Sequence, residues 1–171
     1  MTGDGAWVVW ITGAPAAGKS ALARAFVSRL AARGQHAVHL ESDVLRPILA
    51  PGVDYSPEGR DSFYRSLARL VVVLARQGFP VVVDATASRR PYRDDARSLV
   101  PRFLEVHVDT PLEVREARDP KGLYRLAREG GAPTLPGVTE PYEAPLRPEL
   151  TVSGTAPLES SVDALLALTR G

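Results

Sequence analysis

Residues 13–20 read GAPAAGKS. Gly13 followed by Gly18, Lys19 and Ser20 satisfies the spacing G-x-x-x-x-G-K-[ST] in full, and this pattern is the one that cradles phosphates. The glycines let the backbone curl so that N–H groups converge on an anion, and the start of a helix adds partial positive charge. The expected nucleotide-binding stretch is Gly13, Ala14, Pro15, Ala16, Ala17, Gly18, Lys19, Ser20 and Ala21. Within it Lys19 reaches the β- and γ-phosphates of a nucleoside triphosphate, and the Ser20 hydroxyl faces Mg²⁺. Motors, GTPases and regulatory modules use the same loop, so the reaction has to be read from other residues.

Two carboxylates stand where a parallel sheet places ligands, just past the carboxyl ends of strands. Asp43 follows an apolar run in LESDVLR, and Asp84 ends another in VVVDAT. Either one can orient or deprotonate an acceptor hydroxyl, or hold Mg²⁺ together with Ser20. Asp43 also fits a helix N-cap, and Asp84 a turn or capping role. Arginines crowd the same regions: Arg46 one turn after Asp43, then Arg60, and Arg89, Arg90, Arg93 and Arg97 after the third apolar run. Guanidinium groups clamp phosphate and sulfate in bidentate fashion, although the spacing of Arg89, Arg93 and Arg97 also fits a solvated helix face.

These groups need a frame. Ala6 to Thr12 reads as a strand buried on both faces, and Leu22, Phe26, Val27 and Leu30 recur at helical spacing before Gly34, giving a helix over about 19–33. Ala37 to Leu40 is a second strand. Ser56 as N-cap and Pro57 in the first turn open a helix that carries Phe63, Leu67, Leu70 and Leu74 and stops before Gly78. Val81 to Val83 and Phe103 to Val108 are further strands, with a helix starting over Pro111 to Arg118. Glu149 to Val152 and a helix over about Leu158 to Leu168 close the chain. Strands alternating with helices predict an α/β fold with a mostly parallel five-stranded sheet and helices on both faces, the P-loop NTPase architecture. Between Gly130 and Pro148 the composition shifts to Gly, Pro, Thr and Glu, which predicts a loop acting as a lid.

The whole sequence has 171 residues and is 44% hydrophobic, the size and content of one domain. Twenty-one basic residues against twenty acidic ones leave a net charge of +1, so bulk charge favours neither a nucleic acid nor a membrane surface as partner. The absence of cysteine excludes disulfides, thiolate metal sites and cysteine nucleophiles. The apolar run from Leu70 to Ala75 is too short to span a bilayer, and no basic segment precedes the first strand, so a cytoplasmic protein is expected.

The stretches DTPLEVREARDPKGLYRLAREG at residues 109–130 and PYEAPLRPEL at residues 141–150 resemble the adenylylsulfate kinases, and the resemblance runs from Val8 to Leu150. Those enzymes phosphorylate the 3′-hydroxyl of adenosine 5′-phosphosulfate with MgATP. Asp43 and Arg46 match the acidic residue and arginine of the family's DGDxxR motif at the acceptor site. Tyr55 stands where the family has a phenylalanine against the acceptor adenine, and Arg60 matches the acceptor-binding arginine that follows. The resemblance puts Lys121 near phosphate or sulfate, Arg118 against the ATP adenine, and Arg90 on the arginine of the SPYR segment. Departures gather on the acceptor side: Ser42 within DGD, Phe63 for an asparagine, Ala87 for the serine of SPYR, and Leu135 for the phenylalanine of FTGID.

The resemblance implies ATP and Mg²⁺ as cofactors, adenosine 5′-phosphosulfate as acceptor, a homodimer, and catalysis by Lys19 and Asp43. It implies substrate contacts from Asp43, Arg46, Tyr55, Arg60, Phe63, Arg90, Lys121 and Leu135. Two alternatives stand beside it. One is a kinase for another nucleotide or metabolite hydroxyl, motivated by the departures; the other is an ATP-binding module without transfer activity.

Overall fold

A computed structural model describes residues 6–131 and 134–170 of the chain. Five strands form one sheet: β1 (Val8–Thr12), β2 (Val38–Glu41), β3 (Val81–Asp84), β4 (Phe103–Asp109) and β5 (Leu150–Ser153). Their order is β2-β3-β1-β4-β5 and every pairing is parallel. Among the described residues, seven helices connect and cover them: α1 (Lys19–Ala31), α2 (Ser42–Leu49), α3 (Pro57–Arg76), α4 (Arg90–Arg97), α5 (Leu112–Arg118), α6 (Leu123–Arg128) and α7 (Leu158–Arg170).

Strand alternation divides the core in two. Val8, Trp10, Val81 and Val83 point to one face and meet Phe63, Leu67 and Val71 of α3 and Ala96 of α4. Val9, Ile11, Val82, Val106 and Val108 point to the other and meet Leu22, Phe26 and Leu30 of α1 and Leu165 and Leu166 of α7. Each of these large side chains contributes about 1.5–3 kcal/mol by leaving water, so the sheet is fixed from both sides. No helix among the described residues is long and apolar enough to cross a membrane.

The register decides which residues share an end of the sheet. Ile11 and Glu41 both pair with Asp84, and Thr12 pairs with His107. The expected cap at α3 is present: the Ser56 side chain accepts a hydrogen bond from the Gly59 N–H, with Pro57 in the first turn. Helix α6 has no counterpart among the elements expected from sequence, and α2 and α4 are expected only as alternative readings of Asp43 and of the arginine spacing. Short segments carry little periodicity, and α2 even contains Pro47, whose missing N–H leaves the Asp43 carbonyl without an intrahelical donor. Asp43 is therefore not an N-cap. Glu41 occupies that position and Asp43 lies in the first turn.

The arginine-rich stretch is only partly a solvated face: Arg89 is exposed, whereas Arg93 and Arg97 are held by carboxylates. Arg93 is fully buried, and its Nε donates to Glu105 at 2.6 Å. Its guanidinium also donates to the carbonyls of Ala87 and, at 2.7 Å, Glu143. Arg97 bridges Glu105 and Glu149. The expected lid over residues 130–148 is only partly lid-like, with Ala132 and Pro133 outside the described residues. From Tyr142 onward it is a strap: the Tyr142 hydroxyl meets Thr12 at 3.0 Å, its ring stacks on His107, and the Glu143 N–H donates to the Ser88 carbonyl. Polar loop composition hid this, because the strap is held by hydrogen bonds to elements distant in sequence.

Candidate active site

The loop 13–18 leaves β1 and enters α1 with two residues at positive φ, Ala16 at 60° and Gly18 at 108°. A Cβ on Gly13 would come within 2.7 Å of the Val108 carbonyl oxygen, so glycine is required where the loop crosses β4. Gly18 is the N-cap of α1 and no side chain caps that end, nor does an acidic residue stand in the first turn. The N–H groups of the first turn thus remain available to an anion. The loop is buttressed from behind. Thr110 Oγ1 donates to the Ala17 carbonyl at 2.8 Å, Tyr124 Oη donates to that of Pro15 at 2.7 Å, and Arg115 holds Tyr124 at 2.6 Å. Sequence reasoning did not single out Thr110, Arg115 or Tyr124. All three lie within or beside the 109–130 stretch that carried the resemblance, which was the available signal.

The loop opens onto a cleft of about 900 Å³. Pro15, Ala16, Gly18, Lys19, Ser20 and Ala21 of the loop line it, together with Asp43 and Arg46 of α2. Tyr55, Arg60, Asp84, Arg118, Lys121 and Leu135 line it as well. Lys19 is buried and its Nζ donates to the Ala14 carbonyl at 3.0 Å. Burial pulls its ammonium down to about 8, against the opposing charges of Asp84 and Asp43. Asp84 is also buried, and desolvation raises its carboxyl above the ordinary range while the Ser20 hydroxyl and Lys19 oppose that shift. Asp43 and Lys121 meet as an exposed ion pair across the cleft.

Arg46 is fixed in an unusual way for a long, flexible side chain. Its guanidinium carbon lies 4.4 Å from the ring centre of Tyr55 and 4.2 Å from that of Phe63, and Nη1 is buried without a hydrogen-bond partner. Arg60 is buried too, donating to the Thr134 carbonyl at 2.6 Å and pairing with Glu140, so it holds the loop that carries Leu135. Leu135 is itself buried and lines the cleft, although composition placed it in a loop outside the core.

Two expected substrate contacts are corrected. Phe63 is fully buried and lies behind Arg46, so it shapes the site as a platform and does not front on the cleft. Arg90 is turned to the strap: its backbone N–H donates to Glu143 at 2.8 Å and its Nε to the Ala144 carbonyl at 3.0 Å. Arg118 bonds the Gly154 carbonyl at 2.6 Å and lies between the main cleft and a second cavity of about 320 Å³ lined by Gly18, Val152 and Gly154.

The arrangement offers an anion cradle, a buried cation beside a buried carboxylate, and a second region framed by arginines and an aromatic ring. That combination suits transfer of a phosphoryl group between two anionic ligands. Comparison with known proteins agrees. The family profile described as adenylylsulphate kinase matches residues 5–153. An adenylyl-sulfate kinase of Paraburkholderia xenovorans is 41% identical over 162 residues, 94% of this chain and 90% of that one. One from Vibrio cholerae is 40% identical over 162 residues, covering 94% of this chain and 74% of that protein. The APS kinase of Mycobacterium tuberculosis, solved in complex with AMPPNP and APS, superposes with a TM-score of 0.91 at 32% identity over 97% of this chain and 98% of that one. A sugar kinase from Janibacter, 21% identical with a TM-score of 0.69 over 96% of this chain and 95% of that one, shares the fold. Taken with the phosphate loop and the framed second region, these similarities place the chain in the adenylylsulphate kinase family.

Proposed function

We propose that this protein transfers the γ-phosphoryl group of ATP to the 3′-hydroxyl of adenosine 5′-phosphosulfate, yielding 3′-phosphoadenylylsulfate and ADP. The observation that carries the acceptor assignment is Arg46, a half-buried cation lining the cleft, whose guanidinium lies over the Tyr55 and Phe63 rings and keeps Nη1 without a hydrogen-bond partner. Such a donor suits the sulfated phosphate of the acceptor, since a fixed guanidinium loses little entropy on binding an oxyanion.

The phosphate loop and Lys19 hold the β- and γ-phosphates, and the ATP base lies by Arg118 in the smaller cavity. Ser20, Asp43 and Asp84 all front on one cleft and supply only oxygen donors, a set that fits Mg²⁺. When bound, Mg²⁺ neutralises charge on the transferring group. Asp43 orients the 3′-hydroxyl and takes its proton as that oxygen bonds the γ-phosphorus and the bond from the γ-phosphorus to the bridging oxygen breaks. ADP keeps the bridging oxygen. Arg46, Arg60, Tyr55 and Lys121 position the acceptor, and Leu135 with its neighbours excludes water from the cleft. Lys121 gives up its pairing with Asp43 when the acceptor enters. The homodimer belongs to the same reading, and light scattering tests it.

A coupled assay with ATP, Mg²⁺ and adenosine 5′-phosphosulfate tests the activity. Rapid, acceptor-dependent ADP release with formation of 3′-phosphoadenylylsulfate is expected; ADP release no faster than without acceptor would sink the assignment. Asp43→Asn is expected to lower kcat by about 10²–10⁴-fold, the usual contribution of a positioned acid or base. Asp84→Asn should leave more of kcat, and the reverse order would exchange the roles of the two carboxylates.

A further inference from the structure

Parallel pairing sets Glu41 of β2 directly beside Asp84 of β3. His39 precedes Glu41 by two residues, so strand alternation turns both side chains to the same face of the sheet. One ligand atom from each of His39, Glu41 and Asp84 lies within 4.8 Å of the other two. Asp84 is 3% exposed and its Oδ2 has no hydrogen-bond partner. His39 Nε2 is buried and unpartnered as well. Nearby cations do not satisfy these atoms. Lys19 Nζ hydrogen-bonds the Ala14 carbonyl and acts on Asp84 only through its charge, and Arg24 reaches only Glu41, at 3.6 Å from an exposed position. Buried polar atoms in native proteins are nearly always satisfied, so two unpartnered atoms on residues of one such cluster call for a ligand.

We propose that His39, Glu41 and Asp84 form a divalent-cation site that the protein fills without nucleotide and that prefers Mn²⁺ or Zn²⁺ to Mg²⁺. One imidazole nitrogen with two carboxylate oxygens suits these borderline ions, whereas Mg²⁺ favours all-oxygen octahedra and gives up its waters reluctantly. Glu41 and Asp84 front on the cleft, which provides the entry path and leaves the remaining coordination positions to water. The ion neutralises two acidic groups that the strand register forces together. It shares Asp84 with the oxygen set that fits the Mg²⁺ accompanying ATP, but His39 and Glu41 belong to it alone, so metal binding without nucleotide tests it independently of the kinase reading.

Titration of the nucleotide-free protein with Mn²⁺, followed by electron paramagnetic resonance, tests it. A single saturable Mn²⁺ site is expected, with nitrogen hyperfine coupling in pulsed spectra from the His39 imidazole. Zn²⁺ should displace the Mn²⁺, while a tenfold excess of Mg²⁺ should not. His39→Gln should abolish the nitrogen coupling and weaken binding by at least about tenfold, and Glu41→Gln should weaken it comparably. Should His39→Gln fail to fold, the nitrogen coupling of the unsubstituted protein and the Glu41→Gln affinity decide. No bound Mn²⁺ at millimolar metal, a site without nitrogen coupling, or equal displacement by Mg²⁺ would each overturn the proposal. Because no nucleotide is present, any of these results leaves the coupled kinase assay to stand or fall by itself.

Discussion

Lys19 carries a pH signature that can be read directly. Its ammonium is buried, and desolvation lowers its pKa to about 8 from an ordinary 10.5, with Asp84 and then Asp43 opposing. In the nucleotide-free protein the lysine therefore loses its proton around pH 8, whereas the unfolded chain keeps it to 10.5. Between those values the unfolded state binds more protons, so stability rises with pH across that window by roughly 3 kcal/mol. A triphosphate in the loop reverses the balance, because its negative charge favours the ammonium. Binding of MgATP should then take up about 0.1 proton at pH 7, about 0.5 at pH 8 and about 0.9 at pH 9. Isothermal calorimetry in pairs of buffers with different ionisation enthalpies measures this uptake. Lys19→Arg removes the titrating group and should flatten the profile. Asp84→Asn removes the largest charge supporting the ammonium and should move the half-point below pH 8. Proton uptake that stays constant from pH 7 to 9, or an unchanged profile in Lys19→Arg, would refute the assignment of the titration to Lys19.

Two further outcomes follow from packing. Arg93→Met should cost about 3–5 kcal/mol in urea denaturation, because it strands the buried Glu105 without its closest cation; adding Glu105→Gln should recover much of that loss. Phe63→Ala removes a fully buried ring and should cost about 3–5 kcal/mol of stability. Since the same ring holds Arg46, the KM for the acceptor should rise more than the KM for ATP in steady-state assays.

Much of the site could be read from local spacing. The phosphate loop is contiguous, and its glycines are dictated by the backbone they must adopt, so Gly13, Gly18, Lys19 and Ser20 were placed without tertiary information. The apolar periodicities of α1 and α3 and the valine runs of β1 and β3 likewise follow from burial on one or both faces. Asp43 and Asp84 were found because strand ends are where parallel sheets put ligands.

What the tertiary structure decided depends on groups far apart in the chain. Arg93 looked like a surface residue until Glu105, on another element, supplied its charge partner. Phe63 meets Arg46 and Arg90 meets the strap at Glu143 and Ala144, partners that packing sets and local spacing does not. Leu135 and much of the expected lid are tied down by Arg60 and Thr12, neither of which is predictable from a Gly- and Pro-rich composition. His39 drew no notice as a single imidazole in a strand; only the register that pairs Glu41 with Asp84 brings it to two carboxylates. Sequence spacing specifies backbone conformation and burial within an element, but charge pairing and ligand convergence act between elements, and their partners are set by sheet register and packing.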